Sequence, residues 1–283
     1  MPGTVAILGP GLLGGSIALA LRKHAPGTHI RIWARRESAT VELKTKALCD
    51  FCATDVSSVC EDADFIVLCT PVSAMPSLAR EIVSSKHGDN CVVTDVGSVK
   101  TSVVAQLETI FANSAASYIG SHPMAGSECG GLAAARADLF QNAACIITPT
   151  LFSTNDSLAQ IKSFWHLLGA RTLEMTPEEH DRKIARISHL PHLVATAVTR
   201  AALLEDSTAA ACAGNGFRDA TRIASGDPGL WTGITLENRS EILGALRDAC
   251  AELSELVAII EKLDDKALHR FLAEAKSLRD QVP

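Results

Sequence analysis

Short, continuously apolar runs recur along the first 175 residues and are separated by longer segments of mixed polarity. Thr4-Val5-Ala6-Ile7-Leu8, residues 29–33, Asp64-Phe65-Ile66-Val67-Leu68-Cys69 and Cys91-Val92-Val93-Thr94-Asp95 have the length and continuity of strands buried in a parallel sheet. Residues 51–53 form a weaker strand, residues 116–119 end another, and residues 143–148 and 171–175 complete the series. Between them fall helices: one with Leu13, Ile17, Ala20 and Leu21 on one face, others at 40–48, 56–62 and 157–168, and an alanine-rich one ending at Phe140. Alternation with short connections predicts one doubly wound α/β sheet over residues 1–175.

At Thr176 the pattern changes. Thr176-Pro177-Glu178-Glu179 combines an N-cap, a proline at the first helical position and a glutamate at the third. No strand pattern follows. A long helix through Ile184, Ile187, Leu190, Leu193, Val194 and Ala197 is apolar on more than one face, and Pro191 should kink it. Further helices cover 229–239, 241–262 and 265–279. Residues 176–283 therefore make a second, all-α domain. It is too apolar to bury itself alone, so it predicts a homodimer built on these helices.

The 283 residues are 47% hydrophobic, enough for two ordinary cores. A net charge of −6 offers no basic stripe for nucleic acid. Met1-Pro2-Gly3-Thr4 runs straight into a strand, and no apolar run is long enough to span a bilayer. Nine cysteines, several in strand-like runs (Cys69, Cys145), fit free thiols in a reducing cytoplasm. Cys49 and Cys52 form a lone CxxC without a second pair and read as structural.

The first strand ends in Gly9-Pro10-Gly11-Leu12-Leu13-Gly14, and a helix follows. Strand, GxGxxG and helix make the dinucleotide-binding arrangement: a tight turn, backbone open to pyrophosphate, close helix packing, and N–H groups with a positive dipole end aimed at phosphate. After the second strand, NAD sites place an acid on the ribose hydroxyls. Here stand Ala34, Arg35 and Arg36, with no acid before Glu37. Thr70-Pro71 and Ser98 follow later strands at the same edge. Ser98 could equally be the N-cap of a helix starting at Val99, and Lys100 a solvated first-turn residue.

Gly120-Ser121-His122-Pro123-Met124-Ala125-Gly126 reads as a glycine-flanked loop after a strand, where open α/β sheets carry their chemistry. Imidazole is the side chain suited to exchanging a proton near neutral pH. Ser127 and Glu128 follow it. His189 and His192, three apart beside Pro191, lie on one helix face and lack a third ligand at matching spacing, so no metal is expected. Gly216 to Ala224 supplies Arg218 and Arg222 in a segment otherwise small or apolar. A salt bridge between Arg218 and Asp219 is one reading, and an arginine for a ligand carboxylate the other.

Taken together, Gly9–Gly15, Gly97-Ser98-Val99-Lys100, Ser121–Gly126, His189–His192, Gly216–Ala224 and Asp227-Pro228 with Trp231 resemble the prephenate/arogenate dehydrogenases of the tyrosine pathway. The stretches span nearly the whole chain in that family's order. The resemblance implies a Rossmann-type nucleotide-binding domain, a helical dimerisation domain, and oxidative decarboxylation of a cyclohexadienol with NAD(P). It implies His122 and Ser98 as catalytic residues, and Arg222, with His192, Ser127 and Glu128 beside it, as contacts for a substrate carrying two carboxylates. Gly9, Gly11, Leu12, Leu13, Gly14, Arg35, Arg36, Thr70 and Pro71 fall to the cofactor, and the missing acid favours NADP over NAD. An acid such as Glu128 near the substrate tail would favour the amine of arogenate. A chain ending at Pro283 carries the expectation of no appended mutase or regulatory domain. Two other readings stay open. A β-hydroxyacid-type dehydrogenase needs a catalytic lysine in its helical domain, where Lys183 stands only near the start of the first helix. A non-catalytic NADP sensor would not need His122, Ser98 and Arg222 together.

Overall fold

The computed structural model describes residues 2–127 and 129–282. β1 (Thr4–Leu8) leads through the glycine turn into α1 (Leu12–His24), then β2 (His29–Trp33), α2 (Glu37–Thr45), β3 (Phe51–Ala53), α3 (Val56–Cys60), β4 (Phe65–Leu68), α4 (Met75–Ser84), β5 (Val92–Asp95), α5 (Thr101–Phe111) and β6 (Ser117–Tyr118). The six strands pair in the order β3-β2-β1-β4-β5-β6, all parallel. Alternate residues of β1 feed opposite cores: Val5 and Ile7 join α1 and the later helix Asn155–Leu167 on one face, Ala6 and Leu8 join α3 and α4 on the other. Burying Val5, Ile7 or Leu8 contributes about 1.5–3 kcal/mol each, which is why strands this short are held in place. Because the strands are parallel, the turns after β1, β2, β4 and β5 all open at one edge.

The expected single sheet is two. β7 (Gly120–Pro123), β8 (Ala144–Thr148) and, after α6 (Asn155–Leu167), β9 (Arg171–Glu174) form a separate sheet in that order. β8 runs antiparallel to β7, with His122 opposite Ile146. His122 therefore lies on a buried strand and not in a loop. Pro123 is tolerated there because it ends β7. The alanine-rich stretch is also different: only Leu132–Ala134 forms a 3-10 turn. Leu132 and Ala135 pack against Gly15, and the Arg136 N–H donates to Ser16 Oγ at 3.0 Å, contacts to α1 that outweigh a weak local helical preference.

The second half is helical: α7 (Pro177–Ile184), α8 (Leu190–Leu203), α9 (Asn215–Thr221), α10 (Pro228–Glu237), α11 (Arg239–Glu261) and α12 (Asp265–Arg279). The N-cap half of the expected capping box forms, with Thr176 Oγ1 accepting the Glu179 N–H at 3.2 Å, while the Glu179 carboxylate turns to Lys183 Nζ at 2.7 Å. The expected kinked helix is two helices joined by a π turn over Ala185–His189. In an unbroken α-helix the Pro191 ring would strike the carbonyl four residues earlier, and the widened turn relieves that clash. Much apolar surface stays outside: Leu253, Val257 and Ile260 on α11 and Leu272 and Leu278 on α12 are each more than half exposed. No described helix is long and apolar enough to cross a membrane.

Candidate active site

The glycine turn is explained in three different ways. Gly9 has φ +117°, and a Cβ there would lie 2.6 Å from the Cys69 carbonyl oxygen. A Cβ on Gly14 would lie 2.1 Å from the Gly9 carbonyl oxygen. Gly11 has neither need, since its φ is −79° and a side chain there would meet no atom within 4 Å. What a side chain at Gly11 would obstruct is a ligand reaching the N-terminus of α1, which has no side-chain cap and no acid in its first turn. Leu12 and Leu13 supply N–H groups of that first turn. Across the turn, Thr70 Oγ1 is buried without a partner, and Pro71 is exposed. These features fit a dinucleotide.

Beyond β2, Ala34 is fully buried, while Arg35 and Arg36 are exposed and make no ion pair among the described residues. The nearby acid is engaged elsewhere: Glu37 accepts hydrogen bonds from Thr54 Oγ1 at 3.1 Å and Thr40 Oγ1 at 3.3 Å.

His122 is buried at 7% exposure, and its Nδ1 lies 2.8 Å from His180 Nε2. His180 Nδ1 in turn lies 2.8 Å from Asp181 Oδ1. Burial pushes the His122 ionisation well below 6.5, helped by His180, Lys100 and His189 around it, so at neutral pH it is an uncharged base. His180 is lowered too, because burial outweighs its Asp181 hydrogen bond. Burial alone would raise Asp181, yet hydrogen bonds from His180 and from the Lys100 and Thr101 N–H groups hold it below 3.8. The pair is thus a neutral imidazole on a carboxylate.

Ser98 does not cap a helix. α5 starts two residues after Val99, at Thr101, and its orphan N–H groups at Lys100 and Thr101 go to the two Asp181 oxygens at 2.8 Å each. Nor is Lys100 solvated. Its Nζ is fully buried, 2.5 Å from Asp95 Oδ2, and Asp95 Oδ1 accepts the Tyr118 hydroxyl at 2.9 Å. This network ties β5 to β6 and to the strand carrying His122. The Ser98 carbonyl faces His189, whose ionisation burial lowers to about 4 and whose Nδ1 lies 3.3 Å from Asn238 Nδ2.

His189 and His192 both face Trp231, His189 edge-on with ring centroids 6.2 Å apart and His192 stacked. His192 Nδ1 and His189 Nε2 are buried without partners. Among the described residues no three His, Cys, Asp or Glu side chains are grouped to hold a metal. Arg222 opens the 3-10 turn Arg222–Ser225, and the next residue, Ile223, presents its carbonyl to His192. Arg218 does not pair with Asp219. Its Nε donates to the Ala213 carbonyl at 3.4 Å. Ser127 is exposed, its Oγ accepting the Cys129 N–H at 3.1 Å, and Glu128 lies outside the described residues.

Residues 17–174 match the nucleotide-binding domain of prephenate dehydrogenase, and residues 176–274 match its dimerization domain. The prephenate dehydrogenase of Bacillus subtilis (strain 168) is 36% identical over 287 residues, which is 100% of this chain and 77% of that one. The chain belongs to the prephenate dehydrogenase family. It is an oxidoreductase that carries out NAD(P)-dependent oxidative decarboxylation of prephenate, arogenate or both in tyrosine biosynthesis. Two solved family members superpose closely. The prephenate dehydrogenase of A. aeolicus, in complex with hydroxyphenyl propionate and NAD+, gives a TM-score of 0.89 at 29% identity, covering 99% of this chain and 98% of that one. The Synechocystis arogenate dehydrogenase gives 0.82 at 30% identity, covering 99% and 100%.

The sequence names His122, Ser98 and His192 as candidates; it does not show that His180 and Asp181 stand behind His122, that Lys100 is buried on Asp95, or that Trp231 stacks on His192. The adjacent His180-Asp181 behind a capping box was the available signal.

Proposed function

We propose that His122 is the base that draws the hydroxyl proton from the substrate ring, with Ser98 orienting that hydroxyl. The observation that carries this reading is the His122 imidazole itself, buried, neutral and tied at Nδ1, so that Nε2 is left to accept a proton. As the hydroxyl proton leaves for His122, the carbon–oxygen double bond forms and the hydride departs. A nicotinamide dinucleotide held at the glycine turn would supply the hydride acceptor. The bond to the ring carboxylate then breaks, its electron pair completes the aromatic ring, carbon dioxide leaves, and the phenol oxygen takes the proton back from His122. Aromatisation drives the step, so the protein's part is orientation and proton handling.

Arg222 takes a substrate carboxylate in a charge-assisted, bidentate contact, and His192, Ser127 and Glu128 are further substrate contacts. NADP is the preferred cofactor: Ala34 removes the acid that would repel a 2′-phosphate, and the exposed Arg35 and Arg36 supply guanidinium groups for it. The domains divide between residues 175 and 176, where the Thr176 N-cap opens α7, and the apolar faces of α11 and α12 meet a second copy. Nine free cysteines fit a cytoplasmic setting. Steady-state kinetics with prephenate and arogenate, each with NADP and NAD, test the reading. Turnover of neither substrate would overturn it.

A further inference from the structure

We propose that His180 and Asp181 are positioning residues for the base: they hold His122 in the one tautomer whose Nε2 can take the substrate's proton. The proposal rests on the reading of His122 as that base. It concerns residues of α7, 58 and 59 positions further along the chain than the strand that carries His122.

Proton positions follow from the far end of the contact chain. A carboxylate only accepts, and Asp181 accepts three times at 2.8 Å: from the Lys100 N–H and His180 Nδ1 on Oδ1, and from the Thr101 N–H on Oδ2. His180 must therefore carry its proton on Nδ1. A neutral imidazole has one N–H, so His180 Nε2 is an acceptor, and the atom facing it, His122 Nδ1, must be the donor. The lone pair of His122 then sits on Nε2. The opposite assignment would set a lone pair on His180 Nδ1 against a carboxylate oxygen inside the protein, with no proton between them. All three side chains are at least nine-tenths buried, so water cannot substitute for a lost partner.

The anchor at the far end is backbone and does not swing. Asp181 bridges to the start of α5, and its own carbonyl accepts the Asn238 Nδ2–H at 2.9 Å, which fixes α7 from the opposite side. The tautomer of a base on β7 is thus set by the docking of the first C-terminal helix against α5.

The test compares His180→Leu, which keeps the volume and removes both ring nitrogens, with His180→Gln, which restores a donor and an acceptor. Leucine should lower kcat by roughly 10- to 100-fold while KM for substrate and cofactor stays within about threefold, and glutamine should recover most of the loss. Nitrogen-15 NMR of histidine-labelled protein should find the proton of His122 on Nδ1 in the unmodified enzyme, and a mixture of tautomers in His180→Leu. A packing role alone would move stability and leave the tautomer as it was. The proposal is overturned if His180→Leu keeps normal kcat, or if unmodified His122 carries its proton on Nε2. Should His180→Leu not fold, the spectrum of the unmodified enzyme decides. His122→Asn separates the two levels: normal turnover there removes the base itself, whereas lost turnover there with normal kcat in His180→Leu removes only the positioning pair.

Discussion

The His192 imidazole lies flat against the Trp231 indole, ring centroids 3.4 Å apart and planes 8° from parallel. Gly226 closes the same corner, since a Cβ there would fall 2.4 Å from Trp231 Nε1 and 3.1 Å from His192 Cε1. The stack links α8 to α10 beside the turn that carries Arg222. Its loss removes an aromatic contact of about 0.5–1.5 kcal/mol and frees the His192 ring. Trp231→Leu should raise substrate KM by roughly 2- to 12-fold, the same energy expressed as affinity, with kcat changed less. Steady-state kinetics at saturating cofactor check it. An unchanged KM would detach His192 from substrate binding.

His122→Asn keeps the size of the side chain and removes the proton acceptor. kcat should fall by roughly 10²–10⁴-fold, while cofactor affinity measured by fluorescence titration barely changes. Near-normal kcat would take His122 out of the mechanism.

For Arg222→Ala the expected defect lies in KM rather than kcat, with a loss of about 2–4 kcal/mol in kcat/KM. Arg218→Ala is the control, because its Nε is spent on the Ala213 carbonyl. If Arg218→Ala carries the KM defect and Arg222→Ala is mild, the carboxylate contact belongs to Arg218.

Cofactor preference is read from kcat/KM for NADP and NAD under identical conditions. NADP should be favoured, and Arg35→Ala or Arg36→Ala should narrow the gap by weakening NADP alone. Better use of NAD by the unmodified protein would sink the preference. A preference that survives both substitutions would remove the arginines as its cause.

His122, His180, His189 and His192 all ionise below 6.5 in the folded chain, chiefly through burial. Unfolded, they would bind protons first, so stability is full above about pH 6.5 and is lost as pH falls through that value toward 4. His189, lowered to about 4, accounts for roughly 3 kcal/mol of that loss. Tm measured by calorimetry should therefore drop steeply between pH 6.5 and 4, and the acid limb of kcat/KM should lie below pH 6.5. A Tm flat across this window would contradict the burial of neutral histidines.

What the sequence determined by itself is whatever depends on local pattern. β1, β2 and β3, the N-cap at Thr176 and the helix at Asp265–Arg279 were legible because period, propensity and caps agree within a few residues. The glycine turn was legible for the same reason: Gly9 needs a positive φ, and Gly14 needs the space before the Gly9 carbonyl of its own turn. The tertiary structure decided what depends on partners far along the chain. Residues 120–123 became a strand because Ala144–Thr148 folds back beside them. Residues 132–140 gave up a helix for contacts with α1. Ser98 lost its capping role to Asp181, 83 positions away in the chain, and Lys100 was drawn under the surface by Asp95. A buried polar group must find its partner wherever the fold provides one, and the strength of that demand, not sequence spacing, set which histidines and acids stand behind His122.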